Sequence, residues 1–456
     1  MGAIAPTFYL TLYSAGYIIV STGGETMTKI IIAQTKLDCE HLLGQFADES
    51  HFDTLIEEDT DCYLGSEDET NIAFKFRKNY FSKELQDAAY AGLREAATQT
   101  QNRGLAAGPK GEKCGGREWV TEFQLQVLEF FKKQSESSVV EIDVDQEVEL
   151  LRERYATTDS SRGLVWLSAK VKEDNFNFED WLKHAVKLSI KDRKEETRGV
   201  GETYISDTTY ANVVNSGIAG WFDRYPRIPY GRATSYTQNH FDKFKLSFPF
   251  LQTLDNGFKE LLPIRYAAQR AAADKIDPAF LVPGTVFTTV TVNKTFRTAS
   301  HRDAGDFSDG LSNLLVLSNN GNYSGGYLIL PEVRIAINIR PGDLLLVNNH
   351  EYIHCNTPMV MHDDKAERVS LVCYLREKML ELGSKEYEEH RFQFVEFRRK
   401  NKEHPMQRKL WNGISEGMWY NKEWYDYLEK VGGREMVDKY HPEAYNKDST
   451  LEDLFG

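Results

Sequence analysis

Cysteine is scarce and scattered: Cys39, Cys62, Cys114, Cys355 and Cys373 are odd in number and include no C-x-x-C pair. That excludes a disulfide framework or a zinc knuckle, and a reducing compartment fits it best. A basic excess is also missing, because 55 Lys and Arg stand against 69 Asp and Glu, a formal charge of −14. The chain is therefore no general nucleic-acid coat, although a local basic groove can still act against an acidic total. The opening MGAIAPTFYLTLYSAGYIIVSTGG has no Lys or Arg before its apolar stretch and is broken by Pro6, Thr7, Thr11, Ser14 and Gly16. It makes a poor signal peptide and a poor membrane span. Pro6 also stands where a myristoylation signal wants Ser or Thr. The expectation is a protein that is not secreted and has no membrane partner, cytoplasmic in a viral or bacterial setting or nuclear in a eukaryote.

What is present is the material of a folded chain. Of 456 residues, 41% are apolar and 12% aromatic, enough to bury a large core and suggesting two or three structural units. Residues 1–26 read as a non-native or disordered extension, with Met27 opening the strand-like MTKIIIAQ. Residues 27–200 read as a mixed α/β region. Within it, Phe81–Thr100 carries Leu85, Ala88, Ala89, Leu93 and Ala96 at helical spacing. Asn102–Arg117 holds five glycines and a proline and must be a loop, whose Arg103, Lys110, Lys113 and Arg117 could grip phosphates. Residues 179–198 read as a basic amphipathic helix, more simply a solvated face. Residues 201–379 turn to β-branched, aromatic and turn residues, and residues 380–456 return to charged helix and an aromatic-rich tail with Trp411, Trp419, Tyr420, Trp424, Tyr425 and Tyr427.

The chemistry concentrates in Thr285–Arg376. In TVFTTVTVNKTF, Val286, Thr288, Val290 and Val292 alternate with Phe287, Thr289, Thr291 and Asn293, which separates the faces of a strand. His301-Arg302-Asp303 follows. A His and a carboxylate two residues apart on an extended chain point to the same side, so one strand end offers two metal ligands. His350 and His354 compete for the third position; both follow the turn Pro341-Gly342-Asp343 and the apolar run Leu344–Val347. Two His and one carboxylate on one face of an octahedron leave three positions open, which suits non-haem Fe(II) working with O₂. Two of those positions can take a chelating 2-oxo acid. 2-Oxoglutarate has a second carboxylate remote from the iron, and Arg368 can hold it with a two-pronged, charge-assisted pair while Ser370, two residues along the same strand, adds a hydroxyl.

The run Val290-Thr-Val-Asn-Lys-Thr-Phe-Arg-Thr-Ala-Ser-His301-Arg-Asp303-Ala-Gly-Asp306, with Tyr323-Ser-Gly-Gly-Tyr-Leu, Ile337-Asn-Ile-Arg-Pro-Gly-Asp343 and His354-Cys-Asn-Thr-Pro358, resembles the TET/JBP family of Fe(II)/2-oxoglutarate dioxygenases. Those enzymes hydroxylate the methyl group of 5-methylcytosine or thymine in nucleic acid. The resemblance extends through Ser216–Asp223 and Ile228–Tyr236 and covers roughly 213–378. It implies an α+β fold with a central double-stranded β-helix, or jelly roll, and flanking helices. It implies iron ligation by His301, Asp303 and His354, 2-oxoglutarate on Arg368, and Asp306 facing the target base, with Asn293 and Arg232 in matching segments as substrate-binding residues. The implied partner is DNA with a flipped base. An ionised Asp306 accepts from the amine of cytosine but meets a carbonyl on thymine, so 5-methylcytosine is the expected target and thymine, another substrate or another reductant such as ascorbate the alternatives.

Overall fold

The computed structural model describes residues 8–12, 17–22, 28–32, 35–100, 103–109, 212–223, 230–400 and 421–445. The helix expected over 179–198, residues 110–117 of the glycine-rich loop, and Trp411, Trp419 and Tyr420 lie outside these. Two compact units divide the chain: Met1–Pro109, Tyr210–Asp223 and Gly231–Leu382 form one, and Lys110–Thr209, Arg224–Tyr230 and Gly383–Gly456 the other. The protein is α+β.

Strands of the first unit begin with β1 (Phe8–Leu12), β2 (Tyr17–Thr22), β3 (Thr28–Ile32), β4 (Thr54–Ile56), β5 (Thr60–Leu64), β6 (Ile72–Arg77) and β7 (Gln99–Thr100). Next come β8 (Val214–Asp223), β9 (Gly231–Ala233), β10 (Thr289–Lys294), β11 (Ser312–Ser318), β12 (Tyr323–Gly325) and β13 (Leu328–Leu330). The series closes with β14 (Ile335–Ile337), β15 (Leu344–Val347), β16 (Cys355–Asn356), β17 (Met359–Met361) and β18 (Arg368–Tyr374). One large sheet runs β1-β2-β3-β5-β6-β15-β11-β18-β10-β8-β7, with β9 on β8; a smaller one runs β16-β13-β14-β4, and β12 pairs with β17.

Side-chain alternation decides what each face of the large sheet does. Val290 and Val292 of β10 and Val369, Leu371 and Cys373 of β18 are fully buried in one apolar cluster. That cluster also takes Leu93 from α1 (Lys83–Leu93), Phe244 from a short α3 (Phe241–Lys245) that follows α2 (Ser235–Asn239), and Phe250, Leu254 and Phe258 from α4 (Phe248–Leu261). The helix α5 (Pro263–Ala273) adds Ala272 and Ala273. A second cluster joins Phe74, Phe76, Leu345 and Val347 of the large sheet to Leu328, Leu330, Ile335 and Ile337 of the small one. The opposite residues of β10 and β18 are thereby left to face the space in which the site lies.

The chain after α1 departs from the expected helix. Ser82 caps its start by accepting from the Leu85 amide, but helix ends at Leu93, Arg94–Ala96 tightens into a 3₁₀ turn, and Gln99–Thr100 joins β8 as β7. Close packing explains the change: a Cβ on Gly217 of β8 would lie 1.8 Å from the Ala96 carbonyl oxygen, so only glycine lets this segment lie against the sheet. In the second unit, α6 (Lys385–Lys400), α7 (Asn421–Gly432) and α8 (Arg434–Tyr440) enclose Tyr387, Phe394, Val395, Trp424, Tyr425, Leu428 and Val437. Trp424 Nε1 donates to His441 Nε2 at 3.0 Å, so the aromatic density of the tail serves that unit's own core. No helix of the described residues is long and apolar enough to cross a membrane. Replacing Gly217 with Ala forces backbone apart and costs about 1–3 kcal/mol of overpacking; thermal melting of Gly217→Ala, read by circular dichroism, should give a Tm lower by several degrees.

Candidate metal centre

His301 and His354 come from distant parts of the chain and are brought together by backbone pairing. The His301 amide donates to the His354 carbonyl at 3.1 Å, and the His354 amide donates to the His301 carbonyl at 2.9 Å. The neighbouring Ser300 is fixed in turn, accepting from Gly44 at 2.8 Å and donating to Gln45 at 2.9 Å. Each imidazole has Nδ1 against a main-chain carbonyl, 2.8 Å from Ala299 O for His301 and 3.2 Å from Tyr352 O for His354. Donation from Nδ1 leaves the lone pair on Nε2, the tautomer a metal ligand needs. Both Nε2 atoms converge on Asp303 Oδ1, at 3.5 Å from His301 and 3.8 Å from His354, and the three donor atoms lie within 4.8 Å of one another.

The charges suit the same purpose. Burial favours the protonated form of Asp303, but the two histidines and an Asn349 hydrogen bond outweigh it and hold the carboxyl down to about 2. Burial, with His301 beside it, brings His354 down to about 4. At neutral pH the set therefore offers a carboxylate and a neutral His354. Of the two competing histidines, His350 is exposed and takes no part. Asn349, one residue before it, was not foreseen: its side chain donates to Asp303 Oδ2 at 3.1 Å and its carbonyl accepts from the Asp303 amide at 3.0 Å. Only the repeated Asn beside a histidine hinted at it.

The three residues line a cavity of about 410 Å³. Thr291 and Asn293 of β10 and Arg368, Ser370, Val372 and Tyr374 of β18 form its floor, as the alternation of those strands dictates. Arg368 is 2% exposed. One guanidinium nitrogen donates to Gly326 O at 3.3 Å, while Nε has no partner. Gly326 lies at φ +70°, and a Cβ there would crowd Arg368 Nε at 3.3 Å, so the glycine keeps space beside the cation. Withdrawing a guanidinium from water costs several kcal/mol when no anion compensates, and no acid pairs with Arg368 among the described residues. A bound carboxylate fits.

Asp306 lies in the cavity wall, 7% exposed, and accepts from Ser312 Oγ at 2.5 Å. Burial, with Asp303 nearby, pushes its carboxyl well above the usual range. Asn293 lies there too, accepting from Ser216 Oγ. Arg232 does not: it is exposed, with its guanidinium 4.7 Å from the Phe222 ring, and lines a neighbouring cavity of about 530 Å³. Arg103 lines both cavities and donates to Gly217 O at 3.0 Å. It belongs to the glycine-rich loop, whose Gly104–Ala107 winds into a 3₁₀ turn.

Two imidazoles and one carboxylate, set in a cavity that also buries a guanidinium with no acid partner among the described residues, form a group that could hold a divalent metal beside a ligand carrying a carboxylate. Residues 220–377 match the Tet_JBP family, described as the oxygenase domain of the 2OGFeDO superfamily. The bifunctional helicase and thymine dioxygenase JBP2 of Trypanosoma brucei brucei (strain 927/4 GUTat10.1) is 40% identical over 165 residues, 36% of this chain and 15% of that protein. Thymine dioxygenase JBP1 of Trypanosoma brucei brucei is 39% identical over 167 residues, 36% of this chain and 19% of its own length. The chain thus spans less than a fifth of these curated relatives. A solved structure of NgTET1 in complex with 5mC DNA is similar at 15% identity and a TM-score of 0.30, over 42% of this chain and 67% of that one, too slight a likeness to build on.

Titration with Co(II), followed by its visible absorption, separates the two histidines. Removing one ligand of three should weaken binding by at least about 100-fold in His354→Ala, whereas His350→Ala should bind as the parent does.

Proposed function

We propose that this chain is an Fe(II)- and 2-oxoglutarate-dependent dioxygenase that oxidises the 5-methyl group of a pyrimidine in DNA. The observation that carries the reading is the meeting of His301, Asp303 and His354 with the unpaired Arg368 in one cavity. The large and small sheets on either side of that cavity are read as the double-stranded β-helix, or jelly roll, of this superfamily. Iron with 2-oxoglutarate and O₂ supplies the oxidant that replaces a methyl hydrogen by hydroxyl; binding and orientation are the work of the chain.

Arg368 would hold the remote carboxylate of 2-oxoglutarate, with Ser370 on the same face of β18. A methyl group inside a paired duplex cannot reach the cavity, so the nucleotide swings out at a cost of a few kcal/mol. Asn293 and Asp306 line the space it enters, and Arg232 and Arg103, on the adjoining cavity, are positioned for the polar parts of the strand. Preference for 5-methylcytosine assumed an ionised Asp306. With burial holding that carboxyl high, the protonated acid can donate as well as accept, and the carbonyl of thymine is no longer rejected. Thymine is placed first, because relatives matching this segment at 39–40% identity are named thymine dioxygenases; 5-methylcytosine is the second reading.

Nucleoside mass spectrometry after incubating the iron-loaded protein with DNA containing both bases tests this directly: 5-hydroxymethyluracil is expected, 5-hydroxymethylcytosine alone would reverse the order of substrates, and neither product would remove the DNA reading. Arg368→Ala, which loses a charge-assisted pair of about 2–3 kcal/mol, should raise KM for 2-oxoglutarate by about 30–150-fold. Turnover of thymine should fall as pH rises through the raised Asp306 pKa, since the acid then loses its donor. Asp306→Asn, neutral at every pH, should lose that alkaline limb.

A further inference from the structure

The metal ligands lie on two segments, and one buried carboxylate outside both reaches into each. Glu332 sits in the 3₁₀ turn Pro331–Val333 between β13 and β14 and is 5% exposed. Its Oε1 accepts from Arg302 Nη2 at 2.9 Å, and its Oε2 accepts from the Ile353 amide at 2.6 Å. Arg302 stands between His301 and Asp303; Ile353 immediately precedes His354. The turn is itself anchored, since Arg334, at φ 55°, pairs through two nitrogens with Asp53 at 2.6 Å each, and the Glu332 carbonyl accepts from Leu37 at 2.8 Å.

We infer that Glu332 is a positioning residue of the metal centre, a clamp that sets the spacing of the two ligand segments before any ion arrives. The inference rests on the metal reading given above and adds to it a residue that binds neither ion nor substrate. Its chemistry suits the task. Both carboxylate oxygens are used, one on a cation that belongs to the first segment and one on a main-chain amide of the second. A neutral or shorter side chain could satisfy one of these and not both. Without the acid, the Ile353 amide is left buried and unpaired beside a ligand, and Arg302 keeps only its solvent-facing partner Glu40, at 2.7 Å. The turn of the main chain would survive, but the two ligand segments would lose their common anchor.

Co(II) binding by the full-length protein and its variants tests the clamp without any need for turnover. Glu332→Ala should lose about 10–100-fold in Co(II) affinity, the range found when a partner behind a ligand is removed. Glu332→Gln keeps an acceptor for Ile353 while giving up the ion pair and should lose less; it also carries the test should the alanine variant not fold. Arg334→Ala loosens the same turn without touching either ligand segment, and should leave the affinity within about threefold of the parent. Equal affinity in Glu332→Ala and parent, or an equal loss in Arg334→Ala, would overturn the clamp while leaving the metal centre standing. A parent that binds no Co(II) would overturn the metal reading itself.

Discussion

Two backbone hydrogen bonds between His301 and His354 are the constraint on which the site depends. They hold imidazoles from separate segments with their centroids 4.2 Å apart, a placement that two free rings would not keep against conformational entropy. Asp303 is then delivered by the Asn349 carbonyl, two residues along from His301 on an extended chain. The outcome is a cluster whose protonation suits a cation before one is present: a carboxylate kept ionised by its neighbours and a buried histidine kept neutral. Metal binding to such a set displaces few protons and needs little rearrangement.

The segment matched to the family is not the whole of the unit that holds the site. β6 pairs with β15, β4 runs parallel to β14, and Gly44 and Gln45 pair with Ser300. Each contact brings residues before position 100 against the strands that carry or flank the ligands. Arg103 lines the cavity from the same upstream part of the chain. The family-matched segment thus borrows sheet edges, and one wall of the cavity, from residues that lie outside the match. Pairing of this kind also protects strand edges that would otherwise be open to other chains.

Much of the site was legible because it is local. His-x-Asp on an extended segment places two ligands by geometry alone, Pro-Gly-Asp before Leu344–Val347 marks a turn into a buried strand, and Arg-x-Ser on β18 puts both side chains on one face. The alternation in β10 likewise separates Val290 and Val292 from Thr291 and Asn293. The rest depended on register between distant segments, which spacing does not encode. Nothing in the residues alone separated His350 from His354; the backbone bridge does, by burying one and leaving the other on an exposed turn. Asn349 contacts Asp303 and Glu332 contacts Arg302 and Ile353 from segments remote in sequence, and Arg232, also remote from His301 in sequence, lines the adjoining cavity. The helix read through Thr100 stops at Leu93 because Gly217 admits the chain too closely for a helix to continue.

An acidic chain with cations lining its cavity removes an apparent conflict between net charge and the proposed substrate. A charge of −14 repels DNA at long range, yet at physiological ionic strength that repulsion is screened beyond about 8 Å. Inside the cavity, Arg368, Arg103 and Arg376 present guanidinium groups to whatever enters. Arg376 is already paired with buried Asp223, whereas Arg368 has no acid partner among the described residues. Arg368, and Arg103 whose Nε is likewise without a partner, are therefore the cations with energy still to gain, and an anion must be small enough to fit the cavity to reach them. A dicarboxylic oxo acid meets that condition and a DNA phosphate on a duplex does not. On the proposed reading, cavity size and a buried cation would favour the oxo acid inside the cavity and leave the nucleic acid to be met at its mouth by groups that keep their contact with water.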